Sequence, residues 1–257
     1  MFASVSRTSV YAALTALLLL AAAPAEAQRK GRGTMAANAD GSLAAAASAA
    51  PAPSRPARLQ PLFGGITLAQ ATQIIGEAQL KAITASFASA EEASSFFSRK
   101  GYEYLNENQP DTAAYRFNLA WLLNPKNPDA YRGLGIVASA QPTADNAIKL
   151  LNQGLALAPT NALILSDLGA SHLLRYNQNK KKKDLTAGIE LLQRATAADP
   201  ANAVAWQQLG RGLYYQEKYA EAWTAVHKGQ SLSVSSLDFN LISDLLAKQP
   251  DPQGTFK

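Results

Sequence analysis

Cysteine is absent from this sequence of 257 residues, and its absence excludes several kinds of chemistry together. Disulfide bonds, thiolate metal sites, cysteine nucleophiles and a lipid-modified N-terminal cysteine all need the residue. Histidine is scarce: the two examples, His172 and His227, have neither H-x3-H spacing nor an acidic cluster beside them in the sequence. No G-x-S-x-G, P-loop or H-E-x-x-H motif occurs. We therefore predict a protein that is not an enzyme and has no catalytic residues, no metal and no cofactor.

A long apolar run is also lacking. The stretch from Val10 to Ala23 has 14 residues, whereas a helix that crosses a bilayer needs roughly 20. Arg7 precedes this stretch, and small residues at Ala25 and Ala27 follow it, as in a secretory signal with its cleavage site. We predict a signal peptide at residues 1–27 and an exported protein, periplasmic or secreted, with no transmembrane segment after cleavage. A retained membrane anchor is the alternative.

Positive charge is concentrated near the start of the chain. Residues 28–60 contain five Lys and Arg but one Asp, for a net charge of +4, whereas residues 61–257 contain 18 Lys and Arg and 17 Asp and Glu, for +1. The 28–60 segment is rich in Ala, Pro and Ser and has no apolar period, which is typical of a flexible linker. Contact with a cell wall or an anionic membrane is the alternative. Because the rest of the chain is nearly neutral, we expect no nucleic-acid partner.

A repeat begins at residue 94. Small residues, large apolar residues and a proline recur in four units, which span residues 94–127, 128–161, 162–202 and 203–236. Three units have 34 residues and the third has 41. Small residues allow two antiparallel helices to approach closely, and the prolines Pro125, Pro159 and Pro200 end the second helix of units one to three. One such hairpin leaves its apolar face exposed, so the units are expected to stack.

The motif in unit four is Trp206, Leu209 and Gly210, followed by Ala222; Val234 stands where the terminal proline is expected. This spacing resembles the tetratricopeptide repeat (TPR) family over residues 94–236. The resemblance implies an all-α fold, an α-solenoid of about four TPR hairpins in a right-handed superhelix. It also implies a non-catalytic protein-interaction scaffold that binds a peptide or a partner protein in a concave groove. The sequence does not identify that partner or the oligomeric state.

Both ends of a solenoid need caps. Residues 61–93 are predicted to supply one N-terminal capping helix over residues 67–87, which Thr67 and Gln70 open as a capping box. Residues 237–257 are predicted to form a C-terminal capping helix, which ends before Pro250, and a tail.

The third unit holds its seven extra residues around the lysines Lys180–Lys183. They fall between the two helices of the unit, which predicts a protruding loop or a helix extension. Because adjacent like charges repel one another and stay hydrated, we favour a solvated loop. We expect deletion of residues 178–184 to be tolerated, since surface insertions have small thermodynamic effects. The alternative function comes from the same lysines: an envelope-associated structural protein attached to polyanions through this loop and the basic linker.

The sequence Gly133-Leu-Gly135-Ile-Val-Ala138 matches a dinucleotide-binding fingerprint. That fingerprint binds a cofactor after a β-strand, but these glycines fall inside a repeat helix, so we predict a packing role. The chaperone-binding carboxylate clamp of the TPR family is also absent, because its basic and Asn positions are occupied by Ser98, Tyr102, Gly133, Leu163 and Asp167.

The family resemblance places particular positions of each first helix in the groove. Unit three would supply an apolar middle, and the flanking units would supply tyrosine and arginine, which are frequent at binding hot spots. We expect both arginines to lie in water before a partner binds. The predicted groove residues are Tyr102, Asn106, Arg132, Gln207, Arg211, Tyr214 and Tyr215, with Leu163, Ala170, Leu173 and Leu174 from unit three.

Overall fold

A computed structural model describes residues 56–257; the predicted signal peptide and residues 28–55 of the predicted linker lie outside the described residues. Eight helices pair into four antiparallel hairpins, and the described residues contain no strand. The prediction of an all-α solenoid of four helical hairpins is confirmed. The pairs are α3 (Ala90–Asn106) with α4 (Pro110–Leu123), α5 (Pro128–Ser139) with α6 (Asp145–Leu157), α7 (Ala162–Asn179) with α8 (Lys182–Ala198), and α9 (Ala203–Tyr215) with α10 (Tyr219–Leu232).

Asparagine begins the first helix of units two, three and four. The side-chain oxygens of Asn127, Asn161 and Asn202 accept backbone N–H groups of the first helical turn, which would otherwise lack partners. Asn127 also joins unit two to unit one, because its amide nitrogen donates to Ser94 Oγ at 2.7 Å and Ser98 Oγ at 3.1 Å. One asparagine thus fixes both the start of α5 and its position on α3.

Close packing explains the glycines of the repeat. The ring of Phe117 is fully buried on α4 and lies between Gly101 and Gly133. A Cβ at either glycine would lie 2.5 or 2.1 Å from that ring, which is far inside van der Waals contact. A Cβ at Gly135 would lie 2.7 Å from Leu151. The apparent dinucleotide fingerprint is therefore a helix-packing motif, as predicted.

The N-terminal cap departs from the prediction of one helix. The Thr67–Gln70 capping box is present and opens α1 (Leu68–Ile75). A second helix, α2 (Glu77–Thr84), follows after Gly76. The single predicted helix is wrong because Gly76 has φ +91°, a conformation that ends a right-handed helix and that residues with a Cβ rarely adopt.

The end of the predicted linker is also part of the fold. Residues Ala57–Leu59 form a short 3-10 helix, and the Asn118 side chain donates to the backbone oxygens of Arg58 at 3.0 Å and Gln60 at 2.8 Å. Phe63 is fully buried, with its ring centre 6.3 Å from that of Trp121. Residues 56–60 therefore pack on α4 and are not linker.

The extra residues of unit three do not form a loop. Helix α7 ends at Asn179 and α8 begins at Lys182, so two residues connect them. Lys180 adopts a left-handed conformation with φ +56°, which reverses the chain. The insertion lengthens both helices, so the favoured solvated loop is wrong and the alternative of a helix extension is confirmed.

A short helix and a folded tail cover the C-terminal end. Helix α11 (Phe239–Leu246) lies within the predicted capping helix and buries Leu241, Ile242 and Leu245. Trp223 Nε1 donates to the backbone oxygen of Gln249 at 3.2 Å, which holds the tail on α10. Among residues 56–257, no helix is both long and apolar enough to cross a membrane.

Candidate interaction groove

The first helices of the four units form one row. Helices α3, α5, α7 and α9 contact one another in chain order, and α11 continues the row. We call the solvent-facing side of this row the groove. Its side chains come from all four units, so its geometry depends on how the hairpins stack.

Arg132 on α5 is held inside the groove by two neighbours. Its Nε donates to Asp167 Oδ2 on α7 at 2.6 Å, and its guanidinium lies 5.1 Å from the centre of the Tyr102 ring on α3. The Tyr102 hydroxyl donates to the backbone oxygen of Asp129 at 3.2 Å. Burial raises the pKa of Tyr102 and of Asp167, although the Arg132 charge opposes both shifts. These contacts bridge three consecutive units.

Arg211 on α9 is paired in a similar way with the C-terminal cap. Its guanidinium donates to the carboxylates of Asp238 and Asp244, the second at 3.0 Å. The prediction that Arg132 and Arg211 lie in water before binding is therefore wrong. Each arginine already has a carboxylate from the next element of the row.

Two further predicted groove residues are buried in the core. Gln207 is 3% exposed, and its Nε2 donates to the backbone oxygen of Val226 at 3.0 Å. Leu173 is 3% exposed and packs with Leu185 and Ile189 between units three and four. Neither side chain lies on the surface, because both helix positions face the partner helix of a hairpin or the next unit.

The predicted tyrosines form a cluster at the C-terminal side of the row. Tyr214 and Tyr215 are half-buried, with ring centres 5.8 Å apart, and Tyr215 lies 5.5 Å from Tyr176. Burial raises the pKa of Tyr215 against the opposing Arg211 charge. Asn106, Leu163 and Leu174, by contrast, are exposed on the first helices.

A cavity of about 320 Å³ opens between α5 and α7. Sequence reasoning identified Ala170 and Leu174 on its wall, but missed the residues from α5, α6 and α9, whose contributions depend on the angle between units. The lining is aliphatic and hydroxyl-bearing, with Asp167 at the Arg132 ion pair. The lining residues are Gly135, Ile136, Ser139, Leu151, Asp167, Ala170, Ser171, Leu174 and Gln208.

Each histidine lies against an aspartate that is distant in sequence. His172 Nδ1 lies 3.0 Å from Asp184 Oδ1, and His227 Nε2 lies 2.7 Å from Asp251 Oδ1. Burial lowers the pKa of His172 below its ordinary value. The sequence did not indicate either pair, since the aspartates are 12 and 24 residues away. Both pairs join structural elements, the first within the α7–α8 hairpin and the second between α10 and the tail.

Solved structures with the same architecture are TPR-type proteins. PilF of Pseudomonas aeruginosa is 22% identical, with a TM-score of 0.53 over 64% of this chain and 74% of that chain. TTC0263, a thermophilic TPR protein of Thermus thermophilus, is 18% identical, with a TM-score of 0.52 over 60% of this chain and 80% of that one. This chain therefore has the all-α TPR solenoid fold.

Sequence comparison gives a more limited match. No protein-family model matches the chain. A curated relative, the heat-shock protein cognate co-chaperone sgt12 of Aspergillus fumigatus, is 30% identical over 101 residues. That match covers 39% of this chain and 28% of the relative's length.

Proposed function

We propose that the protein is a non-catalytic interaction scaffold that is exported and binds a peptide or a partner protein in the groove. The observation that carries this proposal is the cavity between α5 and α7 on a row of helices with exposed aliphatic side chains. Concave apolar sites with a few polar groups are the usual form of binding pockets. The fold supports the same kind of function by analogy with other TPR proteins, and the groove residues supply the specific argument.

The chaperone-tail subtype of TPR binding is not part of this proposal. Two of the clamp positions, Ser98 and Gly133, are buried here, and a third, Asp167, is acidic and paired with Arg132. A clamp for a carboxylate needs basic side chains at such positions.

Photocrosslinking in the producing cell tests the groove directly. A photoreactive benzophenone amino acid at Leu163, which is exposed on α7 outside the cavity lining, is expected to capture a defined partner. The matched control places the same residue at Gln193, which is exposed on α8. Equal capture at both positions, or none at Leu163, would contradict the groove as the binding site.

Export has its own test, which is independent of the groove. The mature protein from the periplasm or the medium is expected to begin at Gln28, as read by mass spectrometry of its N-terminal peptide. Recovery of the full chain, beginning at Met1, from the cytosol alone would contradict export.

The second candidate function is attachment to a polyanion. Lys181, Lys182 and Lys183 are exposed at the tip of the α7–α8 hairpin, and none makes an ion pair within residues 56–257. Binding of the whole protein to anionic phospholipid vesicles would weaken steeply with salt if these lysines and the basic linker carried it. Absence of capture at Leu163 together with salt-sensitive vesicle binding would favour this function over the first.

A further inference from the structure

Three arginines on the first helices of the units already have carboxylate partners within the chain. Arg132 pairs with Asp167, and Arg211 pairs with Asp238 and Asp244. Arg175, also on α7, pairs with Asp145 and Asp184. A carboxylate from a partner would have to displace an internal carboxylate at hydrogen-bond distance, so it would gain only the difference between two similar ion pairs.

The same pairs discriminate against a basic partner. Asp167, the acidic residue of the cavity lining, is held by Arg132 at 2.6 Å. A lysine or arginine that approached it would meet the Arg132 charge at the same place. Like-charge juxtaposition at an interface disfavours the wrong partner.

The remaining cavity surface suits an aliphatic group. Ile136, Leu151, Ala170 and Leu174 provide apolar surface, and Leu151 packs directly against Gly135. Ser139, Ser171 and Gln208 provide neutral polar groups around it. Such a lining can satisfy peptide N–H and C=O groups around a buried apolar side chain.

Exposed aliphatic residues extend this character along the row of helices. Leu163 is 45% exposed and Leu174 38% exposed on α7, and Val204 is 54% exposed on α9. Several large apolar residues on one face are a recognised mark of an interaction surface. Arg99 on α3 is exposed and makes no ion pair within residues 56–257, so it is the cation through which an acidic partner would act.

We infer that the groove selects an uncharged peptide segment that inserts one aliphatic side chain into the cavity between α5 and α7. This inference rests on the proposed function and adds the chemistry of the partner. The anchor is then a pocket for leucine, isoleucine, valine or methionine. The arginines act as structural braces between units and not as contacts for the partner.

Selection from a phage-displayed library of random peptides on the whole protein tests this chemistry. We expect the enriched peptides to share an aliphatic residue and to have no net charge. Their affinity, measured with synthetic copies, is expected to change by no more than about twofold between roughly 0.05 and 0.5 M salt, since few charges take part. The Arg99→Gln variant is expected to bind these peptides with unchanged affinity.

Two variants locate the anchor. Ala170→Trp fills the cavity and is expected to weaken binding at least about tenfold, or 1.4 kcal/mol. Leu174→Ala removes part of the cavity rim and is the second test in case the first variant misfolds. It should fold normally, because the Leu174 side chain is already partly exposed. Gln193→Trp on α8 is the control that keeps full affinity. Thermal unfolding of each variant checks that the fold is retained.

Two selection results would overturn the inference while leaving the groove as the binding site. The first is enrichment of acidic peptides whose affinity falls in the Arg99→Gln variant, and the second is enrichment of basic peptides. Peptides that bind wild type and both cavity variants equally would place binding outside the cavity and overturn it as well. Failure to enrich any peptide would also overturn it, whereas the Leu163 crosslinking experiment reports on the proposed function separately.

Discussion

Units two and three perform the same structural task by different means. Helices α5 and α6 have 12 and 13 residues and are joined by Ala140–Ala144. Helices α7 and α8 have 18 and 17 residues and are joined by two lysines. The longer unit therefore has the shorter connection, and its additional residues are helical.

The two hairpins also differ in what stabilises them. Unit two packs through glycines that bring α5 against Phe117 and Leu151 with no space for a side chain. The extended tip of unit three is instead held by a polar network around Asp184, whose side chain is 7% exposed. Its carboxylate accepts from Arg175 Nη2 at 2.6 Å and from Asn179 Nδ2 at 3.4 Å, and it lies 3.0 Å from His172 Nδ1.

That network also joins the two units. Arg175 Nη1 donates to Asp145 at the start of α6 at 2.9 Å, and Gln178 Nε2 donates to the backbone oxygen of Pro142 at 3.0 Å. The extended tip of unit three thus supports the longer connection of unit two. An apparent insertion can become a structural element when its polar residues find partners in the next repeat.

Deletion of residues 178–184 is expected to have the largest effect, and it tests whether the extended tip of unit three is a structural element. The deletion removes Asp184 and both residues of the turn, so the ends of α7 and α8 would have to unwind to form a new connection without the polar network. We expect loss of a single cooperative thermal transition, measured by circular dichroism. A melting temperature close to wild type would show that the tip is dispensable, as the sequence alone suggested.

Gly133→Ala tests the packing of unit two. The new Cβ would lie 2.1 Å from the Phe117 ring, which Gly101 prevents from moving away on its other side. We expect a loss of about 3 kcal/mol in unfolding free energy, at the upper end for overpacked cores. Gly154→Ala is the matched control: its nearest contacts are at 3.2 Å, and the better helix propensity of alanine, about 1 kcal/mol, offsets them. Equal effects in both variants would contradict the argument.

Asp184→Ala tests the network of unit three. It leaves Arg175 and His172 without their shared acceptor, and we expect a loss of about 2 kcal/mol, below the usual value for buried pairs because Arg175 is 29% exposed. Asp145→Ala is the control on the same arginine; its carboxylate is 67% exposed, so the expected loss is below about 1 kcal/mol. Chemical denaturation measures the unfolding free energy of both variants. A larger loss for Asp145→Ala would contradict our conclusion that Asp184 is the more important partner of Arg175.

The network around Asp184 in unit three should also depend on pH. Burial alone would raise the pKa of Asp184, but hydrogen bonds from Arg175, His172 and Asn179 lower it to about 2 from 3.8. Because the folded pKa is depressed, this stabilisation is present above pH 3.8 and is lost as the pH falls toward 2. The shift corresponds to about 2 kcal/mol. The stability difference between wild type and Asp184→Asn should shrink over that interval; a constant difference would refute the linkage.

The sequence was sufficient for the parts of the fold that depend on local pattern. Unit boundaries followed from Pro125, Pro159 and Pro200, and the start of α1 followed from the Thr67–Gln70 box. Periodicity reports which residues face inward but not where a helix breaks. Gly76 looked like one more small residue in an apolar run, and its positive φ depends on how α1 and α2 pack.

The groove was less predictable, because its charges are set by pairs between units. Arg132 and Asp167 are 35 residues apart, close to one repeat period, so a search for opposite charges at that spacing could have found them. The Arg211 partners lie in a cap that does not follow the repeat. Gln207 illustrates a further difficulty. It occupies a repeat position that usually faces the groove in the family, but here its side chain is buried and donates a hydrogen bond to the backbone oxygen of Val226.

Removal of the lysine charges is expected to have the smallest effect, with the opposite sign to Asp184→Ala. Lys182 and Lys183 lie in the first turn of α8, where the helix dipole disfavours positive charge, whereas Asp184 in the same turn is favoured. Both lysines are exposed and have no ion pair in the described chain. Replacing them with glutamine should therefore raise the unfolding free energy by about 0.3–0.5 kcal/mol at low salt, and by less at high salt as screening weakens the dipole term. Denaturant titrations at two salt concentrations measure this difference, with Lys228→Gln on the exposed side of α10 as the control. A loss of stability would mean that the lysines hold the hairpin tip, and unit three would then depend on its cations as well as on Asp184.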